Sequence, residues 1–307
     1  MTTLLPKSTL PYLAIIAANF GLATVPICVR LAQGEHMPSL TIATLRLLLA
    51  AVLLAPYILS RHRDELRSLT RKEMALIGIA GFSSAMFFIL YFNALEYTSV
   101  LISSVFTSTA PLWVALLEVV VLKGVLRRNL WIGLVLVLLG SALFAISGSG
   151  AAVTLGNNPV LGGAMSLIAA VASGAYLIAG RVVRRRLSAL VFLWLMLLVA
   201  VTVALIFSLL TGTTLTGYGV QGYLWVVVMT LGAQIVAQSS ISYSLAHLSP
   251  TFVSISTQVS IILSTIVALL LFQEVPQPLQ ILASLVMLAG VFRVVYTPRP
   301  SVQTARA

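Results

Sequence analysis

The chain has 307 residues, of which 60% are hydrophobic and only 8% are charged, whereas soluble domains are about 25% charged. So few charged side chains cannot cover a water-soluble fold, and the composition predicts a membrane protein. The net charge of +11 would suit nucleic acid, but basic residues of a membrane protein are expected in the loops of one face. The single cysteine, Cys28, excludes intrachain disulfides and thiolate metal clusters.

Ten apolar segments are each long enough to cross a bilayer as a helix, which needs about 20 residues. We number them span 1 to span 10, and they cover residues 11–31, 38–59, 74–96, 98–121, 130–147, 159–181, 188–211, 219–246, 250–272 and 276–296. The first span is too long for the apolar region of a signal peptide, so we expect it to remain in the protein. The sequence therefore predicts an all-α polytopic membrane protein with ten transmembrane helices.

Lysine and arginine side chains concentrate in alternate loops. If the N-terminus is cytoplasmic, the inner loops hold the basic residues of 61–72, 123–128 and 184–186, and the tail adds Arg299 and Arg306. The opposite loops contain Glu35, Glu96 and Glu274 and almost no basic residues. The positive-inside rule then predicts that both termini lie in the cytoplasm, in a multi-pass protein of the cytoplasmic (inner) membrane.

The two halves of the chain align with each other at a shift of 151 residues. This shift pairs Ala18 with Ala169, Arg30 with Arg181, Gly81 with Gly232 and Ser103 with Ser254. Each half holds five spans, an odd number, so the second half must cross the membrane in the inverted orientation. We expect a first repeat at 1–147, a linker at 148–158, a second repeat at 159–296 and a cytoplasmic tail at 297–307.

Three stretches carry a resemblance to a known family: LTIATLRLLLAAVLL in span 2, NALEYTSVLISSVFTSTAPLWVALLEVVVL around Pro111, and LLLFQEVPQPLQILASLVMLAGV near the end. They resemble the drug/metabolite transporter superfamily, specifically its ten-helix EamA-type branch. The chain departs from the pattern at Lys123, where an acidic residue is usual, and at Ile262, where the second half usually has proline. The resemblance implies a secondary transporter of metabolites such as amino acids, sugars or choline-like cations.

Arg46 and Glu118 are charged residues inside spans that need an explanation. Arg46 lies about 12 Å below the outer end of span 2, where a guanidinium costs about 2.5–3.5 kcal/mol or more to insert. It either borders a cavity, where it attracts a carboxylate or closes an outer gate, or it bonds to backbone carbonyls as a structural tie. Glu118 lies near the inner end of span 4, where we expect it to meet Lys123 or Arg127; an inner-gate or proton-coupling role is the alternative.

Spans 3 and 8 are equivalent in the repeat and indicate a cavity. Gln234, Gln238 and Ser242 recur at helical spacing and therefore share one face. Glutamine side chains do not favour lipid, so this face should point to protein or to a water-filled solute cavity. Interhelical hydrogen bonding is the other interpretation. The aligned residues of span 3 are Ser83, Phe87 and Tyr91.

Further candidates for solute contact lie in spans 1, 4, 6 and 9, with simple packing as the alternative for each. They are Asn19, Ser104, Thr107, Trp113, Tyr176 and Gln258. Pro26 and Pro111 interrupt the hydrogen bonding of their spans and are candidate gating hinges or static kinks. Gly133 and Gly140 share a face of span 5 and suit either helix packing or a dimer interface.

The sequence contains no HExxH, Walker or nucleophile-elbow motif, so we expect no enzyme, metal or cofactor. We predict a secondary transporter, an exporter of a small organic metabolite such as an amino acid or aromatic compound, working by alternating access. An importer, a solute channel and a lipid-modifying membrane enzyme are the alternatives. The expected partners are the solute and the bilayer, without nucleic acid, and the protein is expected to be a monomer or homodimer. Spans 1, 3, 4, 6, 8 and 9 should line the cavity, with spans 5 and 10 outside.

Overall fold

The computed structural model describes residues 9–98, 100–124, 128–147, 158–273 and 277–295. Every predicted span is helical there. Seven spans are single helices, which are Leu10–Gly34, Ser39–Arg61, Arg71–Tyr97, Arg128–Ser147, Pro159–Val183, Ala189–Leu210 and Pro278–Val295. A short helix, Arg63–Arg67, connects spans 2 and 3.

Spans 4, 8 and 9 are each built from more than one segment. Span 4 consists of Val100–Thr107 and Ala110–Leu122, and span 9 of Pro250–Thr257 and Val259–Phe272. Span 8 runs through Val220–Met229, a π-helix at Thr230–Ala237 and a final helix at Gln238–Leu245.

The helices have the length and composition of membrane spans. Within the described part of the chain, eight helices are long and apolar enough to cross a bilayer, and Arg128–Phe144 and Pro278–Val294 are shorter apolar helices. Large apolar side chains such as Leu209 and Val120 are exposed on the outside of the bundle, as expected for a surface that faces lipid. The prediction of an all-α polytopic membrane protein is confirmed.

Polar side chains at loop ends determine where several spans begin. Thr70 and Glu73 form a capping box at the start of span 3, in which each side chain bonds to the backbone of the other. The side chains of Asn158, Ser188 and Ser249 accept hydrogen bonds from the first turns of spans 6, 7 and 9. Such caps satisfy backbone N–H groups that have no partner within the helix.

The packing pattern agrees with two inverted copies of one five-span unit. Span 1 packs along span 8, and span 6 packs along span 3, which is the equivalent contact under the 151-residue shift. Span 2 packs on its own equivalent, span 7, and span 5 packs on span 10. Exchanging the two repeats therefore reproduces these four contacts. Spans 5 and 10 form a pair beside the bundle, as expected.

One end of the bundle, which we call the basic end, carries the loops around Arg61–Lys72 and Arg184–Arg186. Here Arg186 pairs with Glu73 at 2.8 Å, and the backbone N–H of Ser188 donates to Glu65. Arg184 is buried, which lowers the pKa of its guanidinium, and its Nε donates to the carbonyl of Ser242 at 2.7 Å. The first two contacts join the two repeats at this end, and the third joins spans 6 and 8 of the second repeat.

The prolines act differently from each other. Pro26 lies within the continuous helix of span 1, which it does not end. Pro111 stands at the first turn of the second segment of span 4, a position where its missing N–H costs nothing. Span 9 is broken at Gln258, which aligns with Thr107, although it has Ile262 in place of the proline. The two breaks therefore follow the repeat rather than the proline.

Hydroxyl groups satisfy the backbone at both breaks. In span 4, Ser108 donates to the carbonyl of Val105 and Thr109 to that of Phe106, at 2.8 and 2.6 Å. In span 9, Thr257 donates to Ser254 and Ser260 to Thr257, at 3.0 and 2.7 Å. In a membrane, irregular backbone is tolerated when nearby Ser and Thr side chains supply the lost hydrogen bonds.

Glycines allow spans 5 and 10 to approach closely. A Cβ added at Gly140 would lie 2.5 Å from Cγ of Met287 and 2.8 Å from the carbonyl oxygen of Ala283, and one added at Gly133 would lie 2.8 Å from the carbonyl oxygen of Gly290. The structure therefore shows Gly133 and Gly140 in helix packing within the chain, which is one of the two interpretations, the other being a dimer interface.

We expect Gly140→Ala to destabilise the folded protein by about 1–3 kcal/mol, because the added methyl group pushes against the backbone of span 10. Thermal unfolding of purified protein in detergent measures the effect. The control is Gly78→Ala on span 3, where an added Cβ has no neighbour within 4 Å, so stability should stay the same or rise by up to about 1 kcal/mol. Equal unfolding temperatures for Gly140→Ala and wild type would contradict this packing.

Candidate functional site

A cavity of about 360 Å³ lies between the two repeats. Its lining comes from spans 1, 2 and 3 of the first half and spans 6, 8 and 9 of the second half. The lining residues are Leu22, Val25, Pro26, Arg46, Ser84, Phe87, Phe88, Ser173, Tyr176, Ala233, Gln234, Gln238 and Ser260. The volume and the mixture of many apolar with few polar groups are typical of small-molecule sites.

Arg46 is the charged residue of this lining and is only 5% exposed. The centre of its guanidinium lies 4.1 Å from the centroid of the Phe88 ring, a cation–π contact between spans 2 and 3. One Nη contacts the sulfur of Met229 at 4.0 Å. Its Nε has no hydrogen-bond partner among the described residues.

The polar face predicted on span 8 reaches the cavity through an irregular helix. Gln234 lies in the π-helix Thr230–Ala237 and Gln238 begins the segment that follows it. The side-chain oxygen of Gln238 accepts a hydrogen bond of 2.8 Å from the Tyr176 hydroxyl of span 6. Single π-turns occur frequently at functional sites, and this one was not foreseen from the sequence because its residues have no distinct periodicity.

Aromatic rings lie on the face of span 3 that is equivalent in the repeat to the polar face of span 8. Phe87 lines the cavity, and Tyr91 stacks on it with the ring planes 3° apart and the centroids separated by 6.2 Å. Phe87 also meets Phe88 edge to face at 5.1 Å. The side chain of Tyr91 therefore supports a cavity residue and is not itself among the lining residues.

Three other predicted contact residues have partners elsewhere. The amide of Asn19 donates to the carbonyls of Ile15 and Ser256, which connects span 1 to span 9. The indole of Trp113 donates to Thr109, and the Gln258 amide donates to Ser141 at 3.4 Å. The structure places none of the three in the cavity lining, and these bonds agree with the packing alternative for each.

Span 4 was expected to line the cavity, and none of its described side chains does so. The side chain of Ser104 lies outside the described residues, and Thr107 bonds to the carbonyl of Ser103 within its own helix. Span 2 contributes through Arg46 instead. Ser84, Ser173 and Ser260 are cavity residues that sequence reasoning missed. Serines are common at helix contacts, so only tertiary structure distinguishes these from the others.

Glu118 has a partner other than those expected. It is 9% exposed, and its carboxylate accepts a 2.9 Å hydrogen bond from the backbone N–H of Thr251, in the first turn of span 9. A carboxylate is stabilised at a helix N-terminus by the helix dipole, and the Arg181 charge also interacts with it. Arg127, one of the predicted partners, lies outside the described residues. The contact joins spans 4 and 9 at the basic end.

The profile of the EamA-like transporter family matches residues 9–146 and again residues 160–296. The chain belongs to this family. EamA-like proteins are membrane transporters of small solutes and have a two-repeat design, which the chain shares. Membership also agrees with the expectation that the protein is not an enzyme. No curated protein matches the chain.

A solved structure, titled only as the crystal structure of a protein, has the same fold as this EamA-like chain. The similarity covers 94% of this chain and 96% of that chain, with a TM-score of 0.80 and 17% sequence identity. At this identity the likeness concerns the fold.

Proposed function

We propose that this EamA-like protein is a secondary transporter that moves a small organic metabolite, such as an amino acid or aromatic compound, by alternating access. The observation that supports the proposal is the cavity enclosed by residues of both repeats. In transporters with inverted repeats, substrates bind at the interface of the halves near the middle of the membrane, where helices are often discontinuous. Spans 8 and 9 both contribute to the cavity next to their irregular segments.

The Tyr176–Gln238 pair gives this proposal a direct test. We expect Gln238→Ala and Tyr176→Phe to reduce solute exchange about two- to tenfold, because each removes one hydrogen-bonding group from the cavity wall. Proteoliposomes preloaded with one unlabelled amino acid or aromatic compound are given the same labelled compound outside, and counterflow is measured across a panel of such compounds.

The controls are Gln221→Ala and Tyr57→Phe, which change exposed residues of the same types. Wild-type exchange in both cavity variants would remove Tyr176 and Gln238 from the site. Flux that neither saturates nor shows counterflow would favour the channel alternative.

Alternating access requires that the ends of the bundle open in turn. We propose that the hydrogen bond that Glu118 accepts from the first turn of span 9 holds the basic end closed, together with the Arg186–Glu73 ion pair. The gap between spans 4 and 9 would open when the Glu118 hydrogen bond breaks. Pro26, which lines the cavity, and Pro111, next to the break in span 4, remain the proposed hinge positions.

We expect Glu118→Gln to shift the protein about tenfold towards a state that is open at the basic end, because a charge-assisted hydrogen bond is replaced by a neutral one. Spin labels on Val121→Cys in span 4 and His247→Cys in the loop before span 9, in a Cys28→Ala background, report the distance between span 4 and the start of span 9 at this end. The expected result is a larger population of long distances.

The matched control is Glu35→Gln, which removes a carboxylate at the opposite end of the bundle and should leave this distance distribution unchanged. An unchanged distribution in Glu118→Gln itself would show that Glu118 does not hold this end closed.

We further propose that the basic end is cytoplasmic and that both termini lie there, in the cytoplasmic membrane. The concentration of Arg and Lys at this end supports the orientation. Export is proposed from the family resemblance alone. Import is the alternative, and the two differ in whether cells that overproduce the protein hold less or more of the solute.

Green fluorescent protein fused after Ala307 should be fluorescent, and alkaline phosphatase fused at the same position should be inactive, because only the former works in the cytoplasm. Alkaline phosphatase inserted after Thr216, in the loop between spans 7 and 8, is the control and should be active. The reverse pattern at the two positions would overturn the orientation.

A further inference from the structure

The most unusual feature of the cavity is a buried cation for which the described residues supply no matching anion. Arg46 is 5% exposed, and among the described residues its Nε has no hydrogen-bond partner and the cavity lining has no acidic member. A buried charge that lacks a counter-charge is costly. We propose that Arg46 binds the carboxylate of the solute and that the solute is a monoanion with an apolar body; this inference rests on the proposed function of the cavity.

Two other arginines, the buried Arg184 and the half-buried Arg181, show how a guanidinium acts as a structural tie. Arg184 donates from Nε to the carbonyl of Ser242 and from Nη1 to that of Leu187, and Arg181 donates to the carbonyl of Leu245. These guanidinium groups are bonded to backbone oxygens in the protein. Arg46 instead contacts a sulfur at 4.0 Å and an aromatic face, which leaves hydrogen-bond donors for a ligand.

The repeat shows that the fold itself does not require a cation here. The residue of span 7 that corresponds to Arg46 in depth is Leu197, which is fully buried in the apolar core. The same helix position is therefore filled by an apolar side chain in one copy and by an arginine in the other. An arginine at this depth is explained by a ligand rather than by packing.

The geometry around Arg46 suits a carboxylate. The guanidinium is planar and presents paired N–H groups that match the two oxygens of a carboxylate. The ring of Phe88 lies against one face of the guanidinium and so restricts its orientation, which lowers the entropy lost on binding.

The other lining residues indicate the polarity and charge of the part of the solute that lies beyond its carboxylate. Leu22, Val25, Pro26 and Phe87 present apolar surface, while Gln234 and Gln238 are neutral. An ammonium group would find no carboxylate among the described lining residues and would be repelled by Arg46. The lining therefore favours a monocarboxylate with an aromatic or branched hydrocarbon body over a zwitterionic amino acid or a cation.

Four probes with similar bodies and different charges test this inference. They are 3-phenylpropionate, its amide, the zwitterion phenylalanine and the cation 3-phenylpropylamine, each titrated at pH 7 against the full-length protein in nanodiscs by calorimetry. We expect the propionate to bind about tenfold or more tightly than the other three. Equal or tighter binding of the amide, the zwitterion or the amine, or no binding of the propionate, would overturn the proposal. This comparison needs only the wild-type protein.

The Arg46→Gln variant should bind the propionate no better than the amide, while its amide affinity stays at the wild-type level. Arg46→Lys keeps the charge and should retain part of the preference, and Arg30→Gln, an exposed arginine at the end of span 1, should retain all of it. An Arg46→Gln protein that still prefers the acid would show that another group of the protein binds the negatively charged carboxylate.

Counterflow on the same samples separates this inference from the proposed function. A wild-type preference for the acid without any counterflow would refute the transporter and leave the carboxylate site standing. Counterflow of the amide or amine without a preference for the acid would support the transporter and refute the carboxylate site.

Discussion

In the hydrocarbon of a membrane, each backbone N–H and C=O must find its hydrogen-bond partner inside the protein. This constraint explains the ten helical spans, and it also explains where the helices are allowed to stop. The breaks at Ser108–Thr109 and at Gln258 are flanked by hydroxyl side chains that return a hydrogen bond to the preceding turn. Backbone irregularity is therefore confined to places where the side chains can satisfy it.

The same constraint makes polar side chains inside the bundle informative. Many of them bond to the preceding turn of their own helix, and others connect neighbouring helices: Ser103 bonds to Ser166 at 2.8 Å, and Trp194 of span 7 donates to the carbonyl of Ala51 at 3.0 Å. Such bonds hold neighbouring spans together. Arg46 differs because it lines a cavity whose described residues include no acidic group, and its Nε has no hydrogen-bond partner among them. Arg46 is thus the charged group of the candidate site, and its guanidinium is not tied to the backbone as that of Arg184 is.

The two repeats provide a second comparison within one chain. Their helices pack in the same pattern, yet their buried residues differ at the positions that bear on function. Arg46 corresponds to Leu197, and the π-helix at Thr230–Ala237 corresponds to regular helix in span 3. Symmetry therefore describes the scaffold that forms the cavity, whereas the groups that would recognise a solute are distributed unequally between the halves.

Apolar runs of about 20 residues determined the number and the approximate positions of the spans by themselves, because length and hydropathy are local properties of the chain. The 151-residue register and the odd number of spans per half likewise sufficed to predict the inverted repeat. Helical spacing placed Gln234 and Gln238 on one face, and both reach the cavity. Only the tertiary structure decided four features, which are span 2 as a cavity wall, the three lining serines, the π-helix and the partner of Glu118. The reason is that a serine or a carboxylate has the same local sequence pattern whether it faces a ligand, a helix end or a neighbouring span.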